Sequence, residues 1–272
     1  MKAALPTPAI DSILRGEPER IIQAVKQPRI LVAWQHTNEE LAPLLLDRLL
    51  TARRDLLEHV DYICGNPKTA ATDRMKGFLE TDLNRSYLPP GGPQSYEDHR
   101  AEEILRLVAA GGYDYILDPH TSVTEVGNFI IISEKYLDDP EVRAMIAAAP
   151  LKRVIVMPED IARHTLIGAA HPVIVTEYNE RLAETRGVED LLKLLDGLVA
   201  GKPLHEAFER EFFFVDGTVP KTQDPGPAAR NFELVPDGYY PIFLGTGPRS
   251  YREDKTKTYV CFRATKRTRE VL

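Results

Sequence analysis

Short apolar runs alternate with helical patterns along the first two-thirds of the chain. The apolar runs predict buried strands at residues 30–34, 60–64, 115–117, 129–132, 154–157 and 173–176. Apolar positions at helical spacing predict helices over residues 39–52, 96–110 and 189–200, and glycines follow the last two. Such alternation predicts an α/β fold with an open, mostly parallel mixed sheet and helices on both faces.

The pattern changes after Gly201. An apolar run at residues 212–215 is followed by several prolines, and no long helical period appears. The clearest strand of this segment is predicted at residues 258–264. We therefore predict two domains, a catalytic domain over residues 1–200 and a small β-rich domain over residues 201–272.

Composition and charge narrow the classes of partner. The 272 residues include 34 basic and 41 acidic side chains, a net charge of -7, which gives no electrostatic reason to expect nucleic acid. The basic segment 255–269 alternates Lys and Arg with Thr. That alternation favours the solvated face of a strand over a nucleic-acid surface.

Three further features of the sequence bear on location and redox state. No apolar run reaches the roughly 18 residues of a membrane helix. The first twelve residues lack the pattern of a signal peptide, so a cytoplasmic location is expected. Cys64 and Cys261 stand far apart without CxxC partners, and we expect packed free thiols.

Polar side chains follow several predicted strands where ligands gather in open α/β sheets. His36 and Glu39 come after the first strand, and His120 comes after the strand at 115–117. Two histidines and one carboxylate are a common catalytic zinc set that leaves a position for water. Two other readings stay open: a helix-capping Glu39 beside a surface His36, and a satisfied core histidine at position 120.

Two more segments carry candidate chemistry. Glu177 follows the strand at 173–176 and is a candidate general base, or a residue that merely begins a loop. Asn84 and Arg85 offer donors that suit a substrate carboxylate. An ion pair between Asp82 and Arg85 that stabilises the loop is the alternative.

These residues stand in segments that resemble the aspartoacylase and succinylglutamate desuccinylase family, zinc hydrolases with a carboxypeptidase-like fold. The matching segments are HTNE from His36, NP at Asn66, FLETDLNR from Phe78, YEDHRAEEI from Tyr96, YDYILDPHTSVTEVGNFIII from Tyr113, VIVTEYNE from Val173 and PIFLGTGPRSY from Pro241. They follow the family's order and cover most of the chain.

The resemblance assigns roles at the metal. It implies one zinc ion held by His36, Glu39 and His120. It also implies that Glu177 is the general acid and base, which activates water and then protonates the leaving amine.

The resemblance also assigns roles around the substrate. Asn84 and Arg85 correspond to a pair that grips a substrate carboxylate. Tyr251 is similar to a tyrosine that reaches into the substrate pocket, although a tyrosine packed in a strand is the alternative.

The sequence departs from the family pattern at Thr37 in HTNE and in TEYNE after the strand at 173–176, and two further departures remove arginines. Gly77 stands where most members have an arginine that polarises the scissile carbonyl, and Lys76 or Arg74 is expected to substitute. A second substrate-binding arginine, expected roughly ten residues before Glu177, is absent from its place, and Arg163 is the nearest candidate.

The sequence thus favours a zinc-dependent amidohydrolase that cleaves a small N-acyl amino acid, such as one like N-acetyl-aspartate or N-succinyl-glutamate. Two alternatives stay open. One is a carboxypeptidase-like metallopeptidase with the same metal set. The other is a degenerate member that acts as a binding protein, which Gly77 favours. The expected partner is a small amide that bears a carboxylate, and neither nucleic acid nor a membrane is expected as a partner. A homodimer is among the assemblies that the sequence allows.

Overall fold

A single nine-stranded sheet organises the part of the chain that the structure describes. The computed structural model describes residues 24–72, 77–122, 126–202, 210–245 and 251–269. The strands are β1 (Ile30–Trp34), β2 (Val60–Cys64), β3 (Tyr115–Ser122), β4 (Phe129–Ser133), β5 (Arg153–Met157), β6 (Val173–Asn179), β7 (Arg210–Pro220), β8 (Tyr240–Ile242) and β9 (Tyr259–Arg269). Their order in the sheet is β2-β1-β3-β6-β4-β5-β7-β9-β8.

Most neighbouring strands of this sheet run parallel. The pairs β1–β2, β1–β3, β3–β6, β4–β5 and β5–β7 are parallel. The pairs β4–β6, β7–β9 and β8–β9 are antiparallel. The predicted fold class, a mostly parallel mixed sheet, is confirmed.

Helices cover both faces of the sheet, as expected for strands that are apolar on both sides. They are α1 (Leu41–Ala52), α2 (Arg54–Leu57), α3 (Pro67–Thr72), α4 (Tyr96–Gly111), α5 (Pro140–Ala148), α6 (Glu159–Ala162), α7 (Leu166–Ala169) and α8 (Val188–Ala200). One buried cluster joins the sheet to α1, α5 and α8, and a second joins the opposite face to α4, α6 and α7. The three predicted helices are present, with α1 beginning two residues later than predicted.

The ends of α4 follow from its sequence. Ser95 accepts a hydrogen bond from the backbone N–H of Asp98, and the Asp98 side chain accepts one from the backbone N–H of Ser95, forming a capping box. Gly112 ends the helix in the left-handed conformation that glycine adopts without strain.

The strands after residue 201 continue the same sheet. β7 pairs with β5, and β9 pairs with β7 in a long antiparallel ladder. The predicted strand at 258–264 is longer, running over Tyr259–Arg269. The sheet runs across residue 201 without a break in strand pairing. The division into two domains at that residue stays a prediction.

Both cysteines are free and buried, in agreement with the expected packed thiols. Burial raises the pKa of the Cys261 thiol to about 12. None of the helices within the described ranges has the length and apolar character needed to span a membrane.

Candidate active site

The strands that carry His120 and Glu177 are longer than their apolar runs predict. β3 continues to Ser122 and β6 to Asn179, so both side chains lie inside strands and not in the loops after them. His120 is the register partner of Glu177 across this parallel pair. Because side chains alternate along a strand, Asp118 and His120 share one face of the sheet with Val175 and Glu177.

His36 and Glu39 reach the same place from the turn after β1. The backbone N–H of Glu39 donates to the carbonyl of His36 at 3.0 Å, and the Trp34 indole donates to the carbonyl of Glu39 at 2.9 Å. The sequence analysis placed Glu39 at the start of a helix, but α1 begins at Leu41. The tight turn, and not helical spacing, brings the two side chains together.

The Glu39 carboxylate lies between two imidazole rings. One of its oxygens is 2.8 Å from Nδ1 of His36, and the other is 3.2 Å from Nδ1 of His120. The ring centroids of the two histidines are 4.7 Å apart. The potential ligand atoms of the three residues all lie within 4.8 Å of one another, so this cluster could hold a metal ion.

A second carboxylate lies beside the outer nitrogen of each imidazole, and that of Asp82 is hydrogen-bonded to His36. Nε2 of His36 is 2.8 Å from Asp82 Oδ1, and Nε2 of His120 is 3.1 Å from Asp118 Oδ1. Metal-ligating histidines commonly have such a partner, which fixes the orientation of the ring. Asp82 therefore has a partner in His36. The alternative from the sequence, in which Asp82 serves only to pair with Arg85, does not describe this contact.

Further polar groups anchor the buried Asp118 carboxylate. The Gln35 amide donates to Asp118 Oδ2, and the Tyr87 hydroxyl donates to the Gln35 amide oxygen at 3.0 Å. All three side chains are buried. This chain of hydrogen bonds fixes the carboxylate that lies beside Nε2 of His120.

Charge in the cluster shifts the pKa of each member. Burial lowers the pKa of His36, but the charge of Glu39 and hydrogen bonds to Asp82 and Glu39 outweigh burial and raise it to about 9. Burial would raise the pKa of Glu39, but the nearby His120 and His36 lower it to about 2. Burial raises the pKa of Glu177 to about 8, and the charge of Glu39 adds to that shift.

One cavity of about 230 Å³ opens onto this cluster. Its polar lining includes His36, Glu39, Asp82, Asn84, Arg85, His120 and Glu177, and Tyr251 also contributes. The structure therefore brings seven of the proposed site residues to one cavity, counting the three candidate ligands, the candidate base and Asn84, Arg85 and Tyr251. Burial raises the pKa of the Tyr251 hydroxyl to about 12.

A family model for the succinylglutamate desuccinylase/aspartoacylase catalytic domain matches residues 27–177. The chain belongs to this family. The match spans more than half of the sequence and includes the three candidate ligands and Glu177. Membership in the family supports hydrolysis of acyl-amino acid amide bonds as the activity of this chain.

Solved structures share the fold at low sequence identity. Succinylglutamate desuccinylase from Chromobacterium violaceum is 14% identical, with a TM-score of 0.69 over 95% of this chain and 97% of its own. Murine aminoacylase 3 is 18% identical, with a TM-score of 0.65 over 90% and 98%. A comparison with curated proteins by sequence finds no match.

The backbone conformation at Gly77 favours glycine over the arginine of the family pattern. Its φ of +83° lies in the left-handed region, and a Cβ there would meet Oδ1 of Asn38 at 2.6 Å. The loop is therefore built for glycine. Lys76 and Arg74, the expected substitutes for the family arginine, lie outside the described residues.

Arg163 is the sequence-predicted residue that the structure does not bring to the cavity. Its side chain is exposed at the end of α6, and its neighbour Ala162 lines the cavity instead. The role predicted for Arg163 stays a prediction without geometric support.

Sequence reasoning missed the residues that hold the loop bearing Asp82. The fully buried Glu97 accepts hydrogen bonds from the backbone N–H groups of Leu79, Glu80 and Thr81 at 2.6–3.2 Å. The Asn66 amide donates to the same carboxylate at 2.9 Å. Asn66 and Glu97 lie in the segments NP and YEDHRAEEI of the family resemblance. The sequence therefore marked these segments, but it did not indicate that the two side chains anchor the loop.

A second group of potential ligands lies elsewhere on the surface. Asp139, Glu141 and His171 also bring ligand atoms within 4.8 Å, but Glu141 and His171 are exposed. Asp139 already caps α5, and its other oxygen is 2.8 Å from Nε2 of His171. Exposed groups of this kind are common without an ion.

Replacing Glu97 by glutamine should loosen the Asp82 loop. The new amide group would point a donor at backbone donors, and we expect a loss of about 1–3 kcal/mol in the free energy of unfolding. Urea denaturation measures this loss. Glu102→Gln, the same exchange at an exposed position of α4, is the matched control, and an equal effect of the two variants would refute the anchoring role.

Proposed function

We propose that this chain is a zinc-dependent amidohydrolase that cleaves the acyl-amide bond of a small N-acyl amino acid. The observation that carries the proposal is the convergence of His36, Glu39 and His120 on one point of a cavity that Glu177 also lines. Residues from four separate segments supply that cavity with ligand, proton-transfer and carboxylate-binding groups.

The donor set fits zinc. Two imidazole nitrogens and one carboxylate are the ligands of a catalytic zinc site. Asp82 orients His36 through a hydrogen bond, and Asp118 lies 3.1 Å from Nε2 of His120. When bound, zinc polarises a carbonyl and lowers the pKa of water toward neutrality. The buried carboxylates around the cluster favour a cation at its centre.

In this proposal Glu177 transfers the proton. It projects from β6 on the same face as His120 of β3 and is buried at the cavity wall. Its pKa of about 8 lies near neutral pH, where one group can both accept and return a proton. We assign it the proton of the attacking water, which it then gives to the leaving amine nitrogen.

Asn84 and Arg85 orient the substrate in this proposal. Arg85 donates to the backbone carbonyl of Asn84 at 2.6 Å, which holds its guanidinium beside the cavity. The planar guanidinium suits a carboxylate in a bidentate contact. Binding the carboxylate there would leave the amide group to face the metal cluster and Glu177.

His120→Ala should remove the metal. We expect the wild-type protein to carry about one zinc per chain, and the variant to retain less than roughly a tenth of that, since two ligands hold zinc poorly. Elemental analysis of purified protein measures the content. His171→Ala, in the exposed group of potential ligands, should keep its zinc. Loss of zinc from His171→Ala but not from His120→Ala would show that the metal binds at the exposed group.

Glu177→Gln should keep the fold and the zinc but lose roughly 10²-fold or more in kcat, the usual loss on removal of a general base. The assay measures amine release from N-acyl amino acids, with short peptides in parallel. Glu180→Gln, three residues further along, is the control and should keep the wild-type rate. An unchanged rate in Glu177→Gln would assign the base elsewhere, and preferred cleavage of peptides would indicate a peptidase.

A further inference from the structure

The wall of the cavity beyond Glu177 is apolar. Val175 lies two residues before Glu177 on the same face of β6, and its register partner on β4 is Ile131. Met157 at the end of β5 extends this floor. We call this part of the cavity the apolar chamber; the residues that define it are Ile131, Met157, Ile167, Val175, Phe243 and Phe262.

Aromatic packing fixes one side of the apolar chamber. Phe243 has a φ of +60°, a conformation that a bulky residue adopts rarely and that is often found where a ligand is held. Its ring packs edge-to-face against Phe129 at 5.3 Å and against Phe262 at 6.2 Å. These ring contacts fix the position of Phe243 against β4 and β9.

Ile167 stands where a charge is expected. It lies ten residues before Glu177, within the region where the family resemblance implies a second substrate-binding arginine, roughly ten residues before Glu177. Its side chain is 4% exposed and lines the chamber. An apolar side chain at this position offers no partner to a second carboxylate of the substrate.

The charges around the cavity also disfavour a second carboxylate on the substrate. Within the described part of the chain, Arg85 is the one Lys or Arg that lines the cavity, against the carboxylates of Glu39, Asp82 and Glu177. A substrate carboxylate that entered the apolar chamber would lose its hydration without gaining a basic partner among the described lining residues, which is costly. N-acetyl-aspartate carries two carboxylates, and N-succinyl-glutamate carries three.

We infer that the substrate has a single carboxylate, and that an apolar group of the substrate fills the chamber beside Glu177. This inference rests on the proposed amidohydrolase function. The whole cavity, about 230 Å³, has to hold the reacting amide and the carboxylate beside Arg85 as well, so the apolar group in the chamber is a small one. The apolar group is either the side chain of the amino acid or the hydrocarbon of the acyl group.

Two substrate series on the zinc-loaded wild-type protein test the inference. One lengthens the side chain from N-acetylglycine through N-acetylnorleucine, and the other lengthens the acyl group on alanine from formyl to butyryl. We expect kcat/KM to rise roughly fourfold per added methylene in one series until the chamber is full. The series that rises identifies the group in the chamber, and N-acetyl-aspartate should be roughly 10²-fold poorer than the best compound.

The outcomes separate this inference from the proposed function. Faster cleavage of N-acetyl-aspartate or N-succinyl-glutamate, or no rise in either series, overturns the inference and leaves the hydrolase intact. Cleavage of none of the compounds overturns the proposed function. Calorimetry with the Glu177→Gln variant then still tests the chamber, because N-acetylnorleucine or N-butyrylalanine should bind more tightly than N-acetyl-aspartate; equal or reversed affinities overturn the inference.

Ile167 variants test the chamber directly. Ile167→Ala should lower kcat/KM for the best apolar compound roughly tenfold or more, while N-acetylglycine changes little. Ile167→Arg should move the preference toward N-acetyl-aspartate. Leu107→Arg, on an exposed part of α4, is the matched control and should leave the profile unchanged. An unchanged profile in folded Ile167→Ala would exclude Ile167 from the substrate contacts and overturn the inference.

Discussion

The Glu39 carboxylate, shared between two imidazole rings, is the contact on which the rest of the site depends. It lies within 3.2 Å of Nδ1 of both His36 and His120, and so joins the turn after β1 to the edge of β3. The backbone N–H of Thr121 also donates to Glu39, at 2.9 Å. Without this carboxylate the two rings would have no common partner.

The fold supplies the other half of the arrangement through strand register and a buried anchor. Pairing of β3 with β6 sets His120 opposite Glu177, and alternation along each strand points both to one face. The Glu97 carboxylate holds the backbone before Asp82, which in turn holds the outer nitrogen of His36. The geometry of the cluster therefore depends on the sheet and on one loop, and a change in either would move a ligand.

Much of this could be predicted from the sequence, for a physical reason. Buried parallel strands are continuous apolar runs, so β1 and β2 were predicted at their observed bounds. The ends of β3 and β6 were missed because Asp118, His120 and Glu177 are polar yet buried, which is uncommon away from functional sites. The pairing of Asp118 with His120 and of Asp82 with His36 depends on register and loop conformation, which a single sequence does not contain.

The apolar chamber could not be predicted from the sequence, since its residues come from several separate strands, a short helix and a loop. The sequence lacks the second arginine that the resemblance implies, and in the structure Ile167, ten residues before Glu177, lines the cavity wall. Location of the metal remains the deciding observation. Diffraction from zinc-loaded crystals on both sides of the zinc absorption edge should show one anomalous peak about 2.0–2.2 Å from Nδ1 of His36, the Glu39 carboxylate and Nδ1 of His120. A peak beside Asp139 and His171, or none between the two imidazoles, would contradict the assignment.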